Sequence, residues 1–161
     1  MAIYGYMTIT GKQQGLISAG CSTQDSIGNK CQAGHTDEIM VLSLSHRLMN
    51  SGNVMHATHY PVLITKNVDK ASPLLGQALA NREEIECVID LYRTSAQGGV
   101  QKYYTLKLKG GQLADLMFDV PHAVLQNETE ATEQIVMRYQ SITWTHHLAG
   151  TSGYSLWGEH E

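Results

Sequence analysis

A mainly β domain with one short helix is the fold class that this sequence predicts. Three observations carry the expectation. Apolar and polar residues alternate with a period of two in segment after segment along the chain. A single stretch, 72–81, has helical spacing together with helix-start residues. Gly, Asn and Ser cluster between these segments, where turns are needed. The 161 residues suit one domain over 1–161. A chain of that length buries about two-thirds of the surface it exposes when unfolded. About seven strands in one domain imply a barrel or a sandwich.

Taken in order, residues 2–10 set Ile3, Met7 and Ile9 against Tyr4, Tyr6, Thr8 and Thr10, the pattern of a strand. Residues 11–36 are rich in Gly and lack periodicity, so they read as a long loop that is functional or covered. In 39–46, alternation sets Ile39, Val41, Ser43 and Ser45 on one face and Met40, Leu42 and Leu44 on the other. Both faces are partly apolar, so both need cover. A second polar loop follows, and residues 60–68 form another strand with Pro61 at its start.

Ser72 as N-cap and Pro73 at the first helical position open the one helix, whose stripe is Leu74, Leu75, Ala78 and Leu79. Ile85, Cys87, Ile89 and Leu91 alternate cleanly, and Gly98-Gly99 turns the chain into the return strand of a hairpin. Gly110-Gly111 marks a bulge or bend in that return strand. In 133–146 the apolar phase switches near Ser141, from Ile135, Met137 and Tyr139 to Ile142 and Trp144. The Gly- and Ser-rich residues 146–161 read as a mobile tail that Tyr154 and Trp157 can dock.

The net charge is −4, and 16% of residues are charged against a typical ~25%. No block of Lys and Arg exists, which argues against a nucleic-acid binder. No apolar run approaches the ~18 residues of a membrane span. The first residues, Met1-Ala2-Ile3-Tyr4, lack the basic and apolar regions of a signal peptide, so the expectation is a chain made in the cytoplasm. Eight Tyr against one Phe favour surfaces that become interfaces.

Catalytic and metal motifs are sparse. His56 and His59, the adjacent His146-His147, and a grouping of Cys21, Cys31 and His35 lack the ligand spacing of a metal site. No nucleophile elbow or phosphate loop is present. His35-Thr36-Asp37-Glu38 reads as a solvated approach to a strand, and Glu83, Glu84 and Glu86 as its solvated counterpart after the helix. Asn127-Glu128-Thr129 matches a glycosylation pattern. Cys87 reads as a core residue, while Cys21 and Cys31 read as two loop thiols with a disulfide as the alternative.

Two segments carry a family resemblance. Ile64-Thr65-Lys66-Asn67-Val68-Asp69-Lys70-Ala71-Ser72-Pro73-Leu74-Leu75 resembles the central segment of the Hcp family, tube-forming subunits of the bacterial type VI secretion system. In that family a strand ending in Thr-Lys and an acidic turn precede the Ser-Pro that opens a helix. Residues 135–144, with Tyr139, Ile142 and Trp144 in the pattern Y-x-x-I-x-W, resemble its last strand. The Met-Ala-Ile start and the length match as well, and the 21–31 loop is similar to an enterobacterial-type branch.

The resemblance implies a β-barrel of two sheets with one flanking helix and long extended loops. It implies homohexameric rings that stack into a hollow tube, with a contractile sheath, a spike protein and effector toxins as partners. It implies neither enzymatic activity nor a cofactor, no fused C-terminal effector domain, and export from the cytoplasm to the extracellular space or a target cell. The family's extended loop corresponds to 47–60, so Met49, Asn50, Val54 and Met55 are expected to make ring–ring contacts. Ser43 and Ser45 are candidates for the lumen surface. His46, His56 and His59 lie in or beside this loop, so protonation near about pH 6 is expected to bias stacking. A monomeric ligand-binding β-barrel is the alternative, and a His-dependent hydrolase a remote one.

Overall fold

The strands of this protein close on themselves because one of them is long enough to pair at both ends. The computed structural model describes residues 4–52 and 55–158. Its elements run β1 (Gly5–Gly11), β2 (Gly15–Leu16), α1 (Gln24–Ile27), a 3-10 turn at Gly28–Lys30, β3 (Ile39–Ser45), β4 (Leu48–Met49) and β5 (Thr58–His59). They continue with β6 (Val62–Asn67), α2 (Ser72–Ala80), β7 (Ile85–Thr94), β8 (Val100–Asp119), β9 (Thr132–Arg138), β10 (Ser141–His146) and β11 (Thr151–Leu156). The nine-stranded sheet runs β11-β10-β8-β7-β1-β3-β6-β9, with β2 paired to β1 off this path, and a further β8–β9 ladder brings the order back to β8. The ring is therefore β8-β7-β1-β3-β6-β9, with the β10–β11 hairpin extending from it. The mainly β class is as expected, and the small β4–β5 sheet stands apart from this ring.

β8 makes closure possible. Its first half pairs with β7 and with β10, and its second half pairs with β9. Between them Gly110 takes a φ of 61°, and the β7 register slips from Cys87↔Leu108 to Ile85↔Gly111. A Cβ at Gly111 would lie 2.7 Å from the Arg138 carbonyl oxygen, so a side chain there would collide with the crossing strand. The phase switch near Ser141 has the same origin. β9 and β10 run along one flank of β8 with a break at 139–140 instead of forming one continuous strand.

Inside the ring lie Met7, Ile9, Ile64, Ile89, Leu108, Ile135, Met137 and Ile142, all inaccessible to solvent or nearly so. α2 covers this core with Leu75 and Ala78, and with the half-buried Leu74 and Leu79. It begins one residue before the expected position. The Ser72 hydroxyl accepts the Asp69 N–H at 2.9 Å, so it closes the preceding turn and makes no cap hydrogen bond to the helix. Cys87 is buried, as its pattern predicts.

The long segment 11–36 is not plain loop. It carries α1 and the 3-10 turn, and lays Ile27 and Cys31 against Tyr6, Met40 and Tyr92 on the outside of the ring. This second cluster explains why Tyr6 and Met7 are both buried although they point to opposite faces.

Two expectations are corrected. In β3 the pairing with β6 shifts between Val41 and Ser43. The bulge lets Leu44, with Ile39 and Val41, pack on the core, and leaves Ser43 and Ser45 exposed and out of phase with them. Residues 151–156, expected in a mobile tail, form β11 and pair with β10 along its whole length. Gly153 sits opposite Trp144, whose ring carbon lies 3.9 Å from where its Cβ would be. A Cβ there would touch the indole at ordinary contact distance, and the indole also packs on the core.

Candidate self-assembly surfaces

The candidate surfaces lie where β3 leaves the ring and runs into the β4–β5 hairpin. Ser43 and Ser45 are exposed on β3, alongside Leu42. Leu48↔His59 and Met49↔Thr58 are the two pairs of the hairpin. Met49 is half-buried and its sulfur lies 3.9 Å from Arg47 Nη2. Asn50 is exposed, and its Oδ1 accepts the Gly52 N–H at 2.9 Å, a local turn that starts the loop. Met55 is 92% exposed. Val54 lies outside the described residues. The structure thus places Met49 in the β4–β5 hairpin, Asn50 and Met55 in the chain that follows β4 and precedes β5, and Ser43 and Ser45 on the strand that leads to it.

The hairpin is fastened at its root by a cluster that spacing did not reveal. The Tyr139 hydroxyl meets His46 Nε2 and His59 Nδ1, each at 2.8 Å, and donates to the Tyr60 carbonyl at 3.3 Å. His59 Nε2 and the Ser155 hydroxyl lie 2.9 Å apart in a further hydrogen bond, which ties the hairpin to β11. Trp157 closes the cluster, stacked on His59 and edge-on to Tyr139. Burial, and after it the neighbouring His59, hold the His46 imidazole below the usual histidine range. Arg47 lies 5.1 Å over the Tyr60 ring and covers the cluster from outside.

A second cluster sits in the motif that led to the helix. Lys66 is fully buried. Its ammonium donates to the Asn67 carbonyl at 2.9 Å, Glu133 Oε2 at 3.0 Å and Ser72 Oγ at 3.3 Å, with Asp69 Oδ1 at 3.1 Å. Asp69 Oδ1 also accepts the Ala71 N–H at 2.9 Å. Burial pushes the Asp69 carboxyl above the usual range even with Lys66 beside it. The cluster joins β6, the turn, α2 and β9. The Thr-Lys and Ser-Pro residues were legible as a motif, but nothing local to them points to Glu133.

The other sequence candidates resolve into structural roles. His35 pairs with Glu38 and stacks on Tyr6, with ring centroids 3.7 Å apart. Glu83, expected to be solvated, is buried. It accepts the Gln13 and Gln14 N–H groups and the Gln14 amide. Burial raises its pKa, but these bonds more than offset that and set the carboxyl below its ordinary value. Cys21 and Cys31 are free thiols. Burial, then the Asp69 charge, push the Cys21 thiol up to about 12, so little of the thiolate needed for exchange exists at neutral pH. Among the described residues no group of three or more His, Cys, Asp or Glu is placed to hold a metal ion, and no helix is long and apolar enough to cross a membrane.

A second exposed apolar run, Met117, Phe118, Val120, Val124 and Leu125, follows the far end of β8. In a chain this poor in charge, such runs mark surfaces that become covered.

Comparison with known proteins agrees with this surface chemistry. Residues 6–146 match the family described as "Type VI secretion system effector, Hcp". The chain is 42% identical to the "Major exported protein" of Pseudomonas aeruginosa, over 98% of this chain and 96% of that protein. The solved structure of "Secreted protein Hcp3 from Pseudomonas aeruginosa" superposes with a TM-score of 0.85 at 41% identity, covering 96% of this chain and 97% of that one. A crystal structure of an Hcp protein superposes with a TM-score of 0.90 at 32% identity, covering 97% of this chain and all of the other.

Proposed function

The chain belongs to the Hcp family of the type VI secretion system, and from that premise we propose that it is the non-enzymatic subunit of a secreted tube. Six copies close head to tail into a ring, and rings stack into a hollow tube that is expelled from the cell and carries effector proteins in its lumen. The observation that carries this reading is the match over residues 6–146 together with end-to-end likeness to an exported relative. The spike protein and the contractile sheath are the further partners this reading gives it.

The geometry supports an assembling role over a ligand-binding barrel. Side chains at or near zero exposure fill the ring interior. The apolar and uncharged surface lies outside it, on Ser43, Ser45 and Met55 and along 117–125. Met49, Asn50, Val54 and Met55 make the contact between stacked rings, and Ser43 and Ser45 face the lumen. Sedimentation should show a species near six times 17.7 kDa, and negative-stain images should show rings with a central hole. A monomer persisting at high concentration would sink the proposal. Substituting Asp for both Val54 and Met55 should leave rings but abolish stacking. Long tubes from that variant would remove the loop from the contact.

A further inference from the structure

The two ends of segment 22–36 are fastened to each other. The Ser22 N–H donates to the Thr36 carbonyl at 3.0 Å, and just outside them the Gly20 N–H donates to Asp37 Oδ1 at 2.9 Å. Between these ties lie α1 and the 3-10 turn, and no described ladder joins the segment to the sheet. A surface segment of this length with its ends together is an Ω-loop. Away from its base, Ser26 Oγ accepts the Lys70 N–H at 2.8 Å, and Lys30 meets Glu130. A cleft of about 600 Å³ runs between Thr23, Asp25 and Ser26 on the loop and Val68, Asp69 and Lys70 on the turn before α2. The loop's inner side chains are Ile27, Cys31 and His35, and they cover Tyr6, Met40 and Tyr92. This small cluster is separate from the core inside the ring.

Among the described residues, the Tyr6 hydroxyl is the one buried side-chain oxygen or nitrogen without a hydrogen-bond partner. Tyr6 is 2% exposed, and the His35 imidazole lies flat on its ring at 3.7 Å, with 3° between the planes. Tyr92 stands edge-on to both rings. Burial, then the Glu38 carboxylate, push the Tyr6 hydroxyl above its ordinary value. A hydroxyl taken from water and left unbonded carries a desolvation cost. That cost belongs to the closed loop alone, because lifting the loop returns the hydroxyl to solvent. Against it stand the burial of Ile27 and Cys31 and the stacked rings.

We propose that 22–36 is a lid that opens and closes as a unit on a folded ring, with the buried Tyr6 hydroxyl weighting it toward opening. A few side chains hold the lid shut, whereas the ring is held by its ladders and by its own core. Opening uncovers Tyr6, Met40 and Tyr92, an aromatic and thioether face on the outside of the ring, and frees the Cys31 thiol. The lid is a property of the single chain and needs no contact between copies.

Hydrogen exchange at single amides of the full chain tests it. The Ile27 N–H donates to the Thr23 carbonyl at 3.0 Å and the Cys31 N–H to the Gly28 carbonyl at 3.3 Å, so both report from within the lid. Both should exchange at least about tenfold faster than the amides of β7. Tyr6→Phe should slow both at least about fivefold, because the closed lid then buries no unbonded hydroxyl. His35→Ala should quicken both, because the stacked ring is lost. Lid amides as slow as those of β7 would overturn the separate opening. Unchanged or faster exchange in Tyr6→Phe would overturn the part given to the hydroxyl. Should Tyr6→Phe not fold by circular dichroism, His35→Ala decides, and unchanged rates in that variant would overturn the lid.

Discussion

The Lys66 and Tyr139 clusters both bury polar groups, yet they are built from opposite chemistry. Around Lys66, one buried ammonium faces two buried carboxylates, a buried carbonyl and the hydroxyl of half-buried Ser72. Around Tyr139, two imidazoles, two hydroxyls and a carbonyl meet with no carboxylate or ammonium among them. The first joins α2 to the ring and is sealed by it. The second joins the ring to the separate β4–β5 hairpin. A buried charge is costly to leave unpaired, so the charged cluster opens only with the fold. A cluster without such a charge loses only ordinary hydrogen bonds when it opens, so opening it costs less than opening the Lys66 site.

Breaking the charged cluster should have the largest effect. Glu133→Ala leaves Lys66 buried against one carboxylate, and urea unfolding should show a loss of about 3–5 kcal/mol. Replacing the group together, Lys66→Met with Asp69→Asn and Glu133→Leu, should recover most of it, because no charge then remains to desolvate. A Glu133→Ala protein within about 1 kcal/mol of the parent would contradict the sealed arrangement.

The Tyr139 cluster should yield less. Tyr139→Phe keeps the ring packing and removes the hydroxyl shared by His46, His59 and Tyr60, with an expected loss of about 1–3 kcal/mol. Amide exchange in 47–60 should rise more than in β7 or β8. Equal loosening throughout would show that the hairpin is not a separable unit.

Acid should distinguish the clusters at smaller amplitude. The folded His46 has a pKa below its unfolded value, so between the two values the unfolded chain binds more protons. Its contribution is fully present above about pH 6.5 and is lost as the pH falls toward the folded pKa. His46→Gln should remove that part of the pH dependence of the melting temperature. An unchanged pH profile would show that His46 does not carry it. The same titration bears on stacking, and tube length measured by light scattering should fall between about pH 8 and 5.5 if protonation loosens the root.

Smallest of all in stability should be Met55→Asp. A side chain 92% exposed has little to lose on unfolding, so the change should stay within about ±0.5 kcal/mol. Loss of stacking without loss of stability would separate the hairpin's assembly role from the folding role of its root.

Much of the ring was legible as pattern, because burying one face of a strand requires a period of two. Ile85 to Leu91 announced β7, Gly110-Gly111 announced the bend in β8, and Ser72-Pro73 announced α2 to within one residue. β3 was misread after Val41 because a bulge inverts every later side chain, and its cause is the β6 register, which lies elsewhere in the chain. β11 was missed because Thr-Ser-Gly-Tyr-Ser has weak alternation, and its order comes from six pairs with β10. At the candidate surfaces, Met49, Asn50 and Met55 were singled out through the resemblance, whereas nothing in the sequence pointed to the root cluster. His59 and Tyr139 are 80 residues apart, and no local signal connects them.

By itself the sequence determined the mainly β class, the one principal helix, the core face of most strands and the shortage of charge that reserves surface for other copies. Each follows from short-range periodicity or from composition, which act before the chain has closed. Tertiary structure alone decided that β8 pairs at both ends to close the ring, that Lys66 meets Glu133, that Tyr139 fastens the hairpin, and that β11 pairs with β10. These depend on ladder register, which is set jointly by strands far apart in the chain and so appears only once they are paired.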